Sequence, residues 1–393
     1  MIYADFQDKK LSLLGFGTMR LPLLPDGTID EAQTAEMTKL AIERGVNYFD
    51  TAYPYHNGLS EIVMGKVLKA YPRESYYLAT KYPGHQLCSE YNPAEIFEEQ
   101  LKKCGVEYFD FYLLHNVYEK SLDTYLDPRW GILDYFKEQK RLGRIKHLGF
   151  SSHGRVEFLE KFLDLCGEDM EFCQIQLNYL DWSLQNAKAK YDLLTARGIP
   201  VWVMEPVRGG RLANLTEDEA AKVAALNPEV SSASWGFRFL QGLPNVKMVL
   251  SGMSNMEQMV DNLNTFDRRN PLNGQEYEVI MNLAEGMKKS VPCTTCRYCC
   301  DGCPAGLDIP LLISVYNDLK FSKSVNTSML IEFMPDEQKP SACLACGKCA
   351  RICPQGINIP QVLKELDEIL ATMPSWKEIS RQREEAAKAL KNK

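Results

Sequence analysis

No stretch of this chain approaches the roughly eighteen apolar residues that a membrane-spanning helix requires, so a helical span is excluded. Basic charge is not in excess either. The 393 residues hold 45 Lys and Arg against 52 Asp and Glu, a formal net charge of −7 with a pI near 5.5. A nucleic-acid partner wants a clustered basic face, and this balance argues against one. No signal peptide opens the chain, which makes the cytoplasm the expected compartment. No Gly-x-Gly-x-x-Gly turn follows the first expected strand, which weakens the case for an open doubly wound sheet. What is left is ordinary globular composition, 45% hydrophobic and 25% charged, with room for two domains.

Cysteine, by contrast, is plentiful. Eight of the 13 fall into two copies of one pattern, Cys-x2-Cys-x2-Cys-x3-Cys-Pro. The first runs through Cys293, Cys296, Cys299, Cys303 and Pro304, the second through Cys343, Cys346, Cys349, Cys353 and Pro354. The copies agree beyond the cysteines, one ending Cys303-Pro-Ala-Gly-Leu-Asp-Ile-Pro310 and the other Cys353-Pro-Gln-Gly-Ile-Asn-Ile-Pro360. Disulfides would suit a small secreted domain, and zinc would want two Cys-x2-Cys knuckles with a spacer. Two crowded runs that each close on Cys-Pro fit neither. The pattern resembles that of bacterial two-cluster ferredoxins, in which the fourth cysteine of each run crosses to the other cluster. That resemblance implies two [4Fe–4S] clusters, one held by Cys293, Cys296, Cys299 and Cys353, the other by Cys343, Cys346, Cys349 and Cys303. Cys300 lies off the spacing and reads as a bystander thiol, and Cys88, Cys104, Cys166 and Cys173 are scattered. Helical apolar spacing over Leu311–Lys320, between the runs, makes this half similar to the helical two-cluster ferredoxin domains attached to respiratory and glutamate-synthesising enzymes.

The remainder alternates short β-rich runs with helical patterns. Strands are expected at Leu11–Gly15, Val46–Asp50, Tyr76–Thr80, Phe109–Leu114, Ile145–Phe150, Phe172–Leu177, Ile199–Met204 and Val246–Leu250. Helical periodicity follows, for example over Ala32–Glu43, Ser60–Leu68, Pro93–Lys103 and Met256–Leu263. Several helices stop at a glycine before the next strand: Gly45, Gly105, Gly143 and Gly198. Eight such units predict an α/β chain that opens with a (β/α)8 barrel over residues 1–270. A connecting helix or linker is expected over 271–290, a small, mainly helical ferredoxin-like domain over 291–360, and a charged helical tail over 361–393.

Barrel chemistry sits at the C-terminal ends of the strands, and polar residues are found there. Asp50 closes the second expected strand with Tyr55 five residues on, Lys81 follows the third, and His115 follows the fourth. Singly, each has a plain explanation as a helix cap, a surface cation or a satisfied core residue. Together, in order at consecutive strand ends, they ask for a common role. Residues 10–265 resemble the aldo-keto reductase family, through Gly15-Phe-Gly-Thr-Met19, Gly45-Val-Asn-Tyr-Phe-Asp-Thr-Ala-Tyr-Pro-Tyr55, Lys81, His115 and Gly149-Phe-Ser-Ser152.

The resemblance implies reduction of a small carbonyl substrate with NADP or NAD. Tyr55 would be the acid, Lys81 would lower its pKa from about 10, Asp50 would hold Lys81, and His115 would orient the carbonyl. For the nicotinamide the resemblance points to Ser151, Ser152 and Gln174, with Met204 where many members stack an aromatic. Arg208, Gly209 and Gly210 would approach a pyrophosphate, and Ser251, Gly252 and Ser254 would face a phosphate. Gly252 and Gln258 stand where a basic pair often grips the NADP 2′-phosphate, and Asn262 completes the set, so NAD and NADP stay open. A hydride moves two electrons and a cluster one, yet no flavin fingerprint is present. Three readings follow. The chain is a reductase whose clusters sense, dock or shape; or it takes electrons through the clusters from a partner such as a ferredoxin, with a flavin or none; or it is a non-catalytic redox adaptor. The four strand-end residues favour the first.

Overall fold

The computed structural model describes residues 1–391 except 87, 120, 288–290, 292, 294–296, 322, 354 and 355. Cys296 and Pro354 therefore lie outside the described residues. Two compact units are present, Met1–Met281 together with Arg383–Lys393, and Asn282–Gln382. This division differs from the four expected segments: residues 361–382 belong with the cysteine-bearing unit, and the last eleven residues belong with the first.

The first unit opens with a hairpin of β1 (Tyr3–Phe6) and β2 (Lys9–Ser12). Eight parallel strands follow: β3 (Leu14–Gly17), β4 (Tyr48–Asp50), β5 (Tyr77–Tyr82), β6 (Phe109–Leu114), β7 (Ile145–Ser152), β8 (Cys173–Gln176), β9 (Val201–Met204) and β10 (Val246–Gly252). They pair in sequence and close when β10 pairs with both β9 and β3. This is the expected (β/α)8 barrel. The first strand is the exception. Leu11, expected to begin it, lies in β2, and the barrel strand starts at Leu14. The run Leu11-Ser-Leu-Leu-Gly-Phe-Gly17 is nearly continuous in apolarity, so its register was not readable. Its hairpin turn carries no Gly or Asn, because Gln7 itself takes the left-handed φ of 53°.

The hairpin closes the end of the barrel where the strands begin. Phe6 is 3% exposed and meets Trp202 edge-on with ring centroids 5.1 Å apart. Leu11, Tyr48, Phe111, Phe172 and Met248 belong to the same buried cluster. That plug leaves the C-terminal end of the strands for chemistry. Local signals set the surrounding helices. Pro93–Cys104 begins at a proline, is capped by the Asn92 side chain accepting from the Glu95 amide, and stops at Gly105 with φ 64°. Gly45, Gly143 and Gly198 take the same left-handed conformation where stops were expected.

In the second unit the sequence repeat is a structural repeat. Helices Ile309–Phe321 and Ile359–Ala371 each start at the Ile-Pro that follows a cysteine run. Short helices Tyr298–Asp301 and Lys348–Ile352 precede them, each entered through a left-handed residue, Arg297 (φ 65°) and Gly347 (φ 71°). Gly306 (φ 62°) and Gly356 (φ 63°) match as well. Leu312, Ile313, Leu363 and Leu366 form the core, with Cys299 buried in it and Cys293, Cys303, Cys343, Cys349 and Cys353 packed against it. Among the described residues no helix is long and apolar enough to cross a membrane.

Candidate active site

Parallel pairing puts the ends of β4, β5 and β6 side by side, and three of the four singled-out side chains sit on them. Lys81 is fully buried. Its Nζ lies 2.5 Å from Asp50 Oδ1, donates to the Thr51 carbonyl at 2.7 Å and reaches Tyr55 Oη at 3.3 Å. The His115 ring stands edge-on to the Tyr55 ring, centroids 6.0 Å apart and planes at 83°. The structure therefore brings Asp50, Tyr55, Lys81 and His115 together.

Tyr55 is presented by a tight turn. His56 (φ 50°), Asn57 (φ 55°) and Gly58 (φ 88°) are all left-handed, a conformation that costs a non-glycine residue on the order of 1–3 kcal/mol. Buried hydroxyls pin that turn. Ser60 Oγ lies 2.7 Å from Thr18 Oγ1 and 2.9 Å from Thr51 Oγ1, and Thr18 Oγ1 donates to the Asp50 carbonyl. Tyr125, fully buried, donates to the carbonyls of both Tyr82 and His115 and ties the ends of β5 and β6 together. Gln100 donates to the Lys81 carbonyl and to Glu61 from behind. None of Ser60, Gln100 and Tyr125 had a signal in the sequence, since a buried hydroxyl or amide looks like any other until its partners are known, whereas Thr18 stands inside the Gly15-Phe-Gly-Thr-Met19 run. His85 was missed too. Its ring lies 4.3 Å from that of His115.

The electrostatics differ in one respect from expectation. Burial is the largest influence on Lys81 and acts against its charge, but the Asp50 carboxylate and the Tyr55 oxygen together more than offset it, so the Lys81 pKa ends above its ordinary value. Lys81 does favour the phenolate of Tyr55, but burial acts more strongly, and the Tyr55 pKa ends above its ordinary value. The expected lowering is thus reversed in sign, and the phenol holds its proton. Burial first, then neighbouring charge, depresses His115 well below its usual pKa and brings His85 to about 3. Both rings are neutral near pH 7.

The cofactor positions divide into two sets. Ser151 and Gln174 are partners across β7 and β8. Gln174 Nε2 faces the Met204 sulfur at 3.6 Å, while its Oε1 is buried with no partner among the described residues. An orphaned acceptor of this kind fits a carboxamide N–H. Gly17 pairs with Gly252, and the Arg20 side chain runs from Gly252 to Gly209, so a Cβ on Gly252 would lie 3.2 Å from Arg20 Cβ and one on Gly209 3.1 Å from an Arg20 guanidinium nitrogen. Arg20 had not been singled out. It follows Gly15-Phe-Gly-Thr-Met19 directly, which is the signal that was available. Other expected contacts are committed elsewhere. Arg208 is buried, with its Nε 3.1 Å from Asp181 Oδ1. The Ser254 amide donates to the Gln258 side chain, and Asn262 donates to Ser251 Oγ. The Ser152 hydroxyl donates to the Val117 carbonyl. Gly210, at φ 98°, has its carbonyl taken by the Asn214 side chain.

In the second unit Cys303, Cys343, Cys346 and Cys349 line one small cavity with Pro304, Leu307 and Leu363. Cys299 lies beside Cys293 and Cys300, and burial with these neighbours pushes its thiol up to about 12. Among the described residues no three His, Cys, Asp or Glu side chains converge as ligands of a single ion. Four thiols spread around one cavity suit a multi-iron cluster better than one zinc, since a cube of irons holds its cysteines further apart than a single ion does.

Residues 13–285 match the model of the aldo/keto reductase family. The chain belongs to that family. Residues 292–357 match the model of a 4Fe-4S dicluster domain, so this family member carries a ferredoxin-type domain after its barrel. This chain is 27% identical over 231 residues to the NADH-specific methylglyoxal reductase of Escherichia coli, covering 54% of this chain and 68% of that one. It is 25% identical over 279 residues to L-galactose dehydrogenase of Arabidopsis thaliana, covering 65% and 84%. The holo form of an aldo-keto reductase from Bacillus halodurans superposes with a TM-score of 0.59 at 26% identity, over 72% of this chain and 96% of that one. Its family makes the chain an oxidoreductase.

Proposed function

We propose that this chain reduces the carbonyl group of a small molecule with NADH or NADPH, using Tyr55 as the proton donor, and that two [4Fe–4S] clusters reside in its second unit. One observation carries the reading. Lys81 Nζ bridges Asp50 Oδ1 at 2.5 Å and Tyr55 Oη at 3.3 Å, with the His115 ring beside Tyr55. A bound reduced nicotinamide supplies the hydride. Gln174 Oε1 would hold its carboxamide, and the Arg20 guanidinium, which lies along Gly252 and Gly209, would meet its phosphates. The substrate oxygen rests between Tyr55 Oη and the N–H of neutral His115. As negative charge develops there, Tyr55 Oη gives up its proton and the Lys81 ammonium stabilises the phenolate left behind. Asp50 keeps Lys81 charged through the cycle. Solvent then returns a proton to Tyr55.

The cysteines divide as Cys293, Cys296, Cys299 and Cys353 for one cluster, and Cys303, Cys343, Cys346 and Cys349 for the other. The clusters supply one-electron transfer. A second reading, electron entry from a partner protein such as a ferredoxin, draws on the surface around the second run. Cys346 is exposed there, together with Leu344 at 68% and Ile352 at 56%. Apolar groups beside a cluster are what a transient redox partner would cover.

The test is turnover of an aldehyde by anaerobically purified holoprotein, followed by nicotinamide oxidation. Tyr55→Phe is expected to lower kcat by about 10²–10⁴-fold with little change in nicotinamide binding, the range for losing a positioned acid. Turnover at the parent rate by that variant goes against the assignment. Turnover driven by reduced ferredoxin without nicotinamide, by contrast, selects the second reading.

A further inference from the structure

The two cysteine runs repeat each other at a fixed offset, and the positions where they disagree have a common character. Thr294, Tyr298, Asp301, Gly302 and Asp308 of the first copy correspond to Leu344, Lys348, Arg351, Ile352 and Asn358 of the second. From first cysteine to closing Ile-Pro, the first copy sets Arg297 against Asp301 and Asp308. The second carries Lys348 and Arg351 and no acid. The fold keeps this distinction. Arg297 is answered by Asp308 at 3.1 Å. On the elements flanking the second run Lys339 pairs with Asp336 at 2.6 Å and Lys364 with Glu368 at 3.8 Å. Lys348 and Arg351 are exposed and form no ion pair among the described residues.

The same stretch is the uncovered one. Of the described cysteines in the two runs, Cys346 is the exposed one, and Leu344 and Ile352 stand 68% and 56% exposed. Leu344 and Lys348 line one small cavity with Cys303, Cys343, Cys346 and Cys349. Arg351 folds back over the turn, its Nη1 3.5 Å from where a Cβ on Gly347 would lie, directly after Cys346. Two apolar side chains and two unanswered cations thus gather at the exposed cysteine. On a chain of net charge −7 such a positive face is a contrast, so an acidic partner is repelled elsewhere and drawn here. Electron carriers meet through small, transient interfaces, where charge sets the encounter rate and apolar contact excludes water. We infer that Leu344, Lys348, Arg351 and Ile352 form the docking face for a small acidic iron–sulfur carrier of ferredoxin type, and that its electron enters the cluster of Cys303, Cys343, Cys346 and Cys349. One electron leaves the carrier's reduced cluster and is taken up by this one, with no bond made or broken. The inference rests on the proposal that these cysteines hold a cluster; it adds the partner's charge, its place and the cluster it meets. It does not require that the electron go on to a carbonyl.

The test is anaerobic stopped-flow bleaching of the clusters in full-length holoprotein by reduced plant-type ferredoxin, an acidic protein, with reduced methyl viologen, a small cation, as comparator. The ferredoxin rate is expected to fall about tenfold as salt rises from roughly 0.02 to 0.3 M. Lys348→Glu with Arg351→Glu is expected to slow it about 10- to 100-fold at low salt and not to slow methyl viologen. Arg297→Gln, in the first copy, is expected to leave both rates within about twofold. A ferredoxin rate indifferent to salt and to the double substitution overturns the proposal, as does equal slowing of both reductants or of the Arg297 variant. Reduction by an acidic flavodoxin but not by the ferredoxin overturns it too, as does a dimer of this chain that the double substitution separates. Carbodiimide coupling of the two oxidised proteins, which joins a lysine to a carboxylate in contact, reads docking without electron flow. A one-to-one product that Lys348→Gln suppresses supports the face, and an unchanged yield counts against it. Iron and sulfide analysis keeps the two proposals apart: protein purified without iron fails the cluster reading, whereas loaded protein that ignores these substitutions fails the docking face alone.

Discussion

Single residues at the pocket are controlled by burial before they are controlled by neighbours. Burial acts hardest on Lys81 too, and it remains an ammonium only because a carboxylate 2.5 Å away and the Tyr55 oxygen together offset that burial. Tyr55 has that same ammonium beside it and still ends with a raised pKa, since burial penalises the phenolate more than Lys81 rewards it. A protonated tyrosine beside a charged lysine is the state a reductase needs at the start of its cycle. His85 makes the cost of such burial measurable. Its pKa of about 3 lies below the ordinary 6.5. Below pH 6.5 the unfolded chain takes up a proton that the folded chain refuses, so stability is complete above that pH and declines as pH falls toward 3. His85→Gln is therefore expected to lose less of its melting temperature than wild type between about pH 7 and pH 5, as followed by anaerobic thermal melts. Equal slopes for the two proteins would mean that His85 is not held neutral by the fold.

Elements contribute by what they block as much as by what they carry. The hairpin of β1 and β2 has no expected chemistry, yet Phe6 fills the end of the barrel opposite the active site and touches Trp202, Phe172 and Phe111. Removing the ring leaves a cavity lined by rigid aromatic neighbours that cannot collapse inward. Phe6→Ala is expected to cost about 3–5 kcal/mol and to lower the melting temperature without changing KM, because the substrate end is untouched. A shift in KM larger than the loss of folded protein explains would place the hairpin in communication with the pocket. The turn after β4 shows the opposite kind of element. Three successive left-handed residues there are held by the Thr18, Thr51 and Ser60 hydroxyls, and the strain is spent on aiming Tyr55.

For the whole molecule, the repeat in the second unit makes a prediction that neither copy makes alone. Cys303 belongs to the first run in sequence but shares a cavity with Cys343, Cys346 and Cys349 of the second. Cys303→Ser is therefore expected to lose about half of the iron and sulfide, from the cluster of the second run, while the other cluster survives. Iron and sulfide analysis with electron paramagnetic resonance of the reduced protein checks this. Full iron content, or selective loss of the cluster of Cys293 and Cys299, would mean that the fourth cysteines do not cross over. The chain also returns upon itself: the cysteine unit ends at Gln382, and residues after it group with the barrel.

The barrel, the four strand-end side chains and the cysteine repeat were legible along the chain, because each is written in local spacing. Strand and helix alternate with their own periods, glycine stops fall at Gly45, Gly105, Gly143 and Gly198, and cluster ligands follow fixed intervals. Folding settled the matters that turn on burial and distant charge. It put Leu11 in a plug instead of the barrel wall, because a continuous apolar run has no readable register. It paired Arg208 with Asp181 and set Arg20 along Gly252 and Gly209. It reversed the expected shift of Tyr55. Desolvation and long-range Coulomb forces depend on what surrounds a group in space, and no window along the chain contains that information.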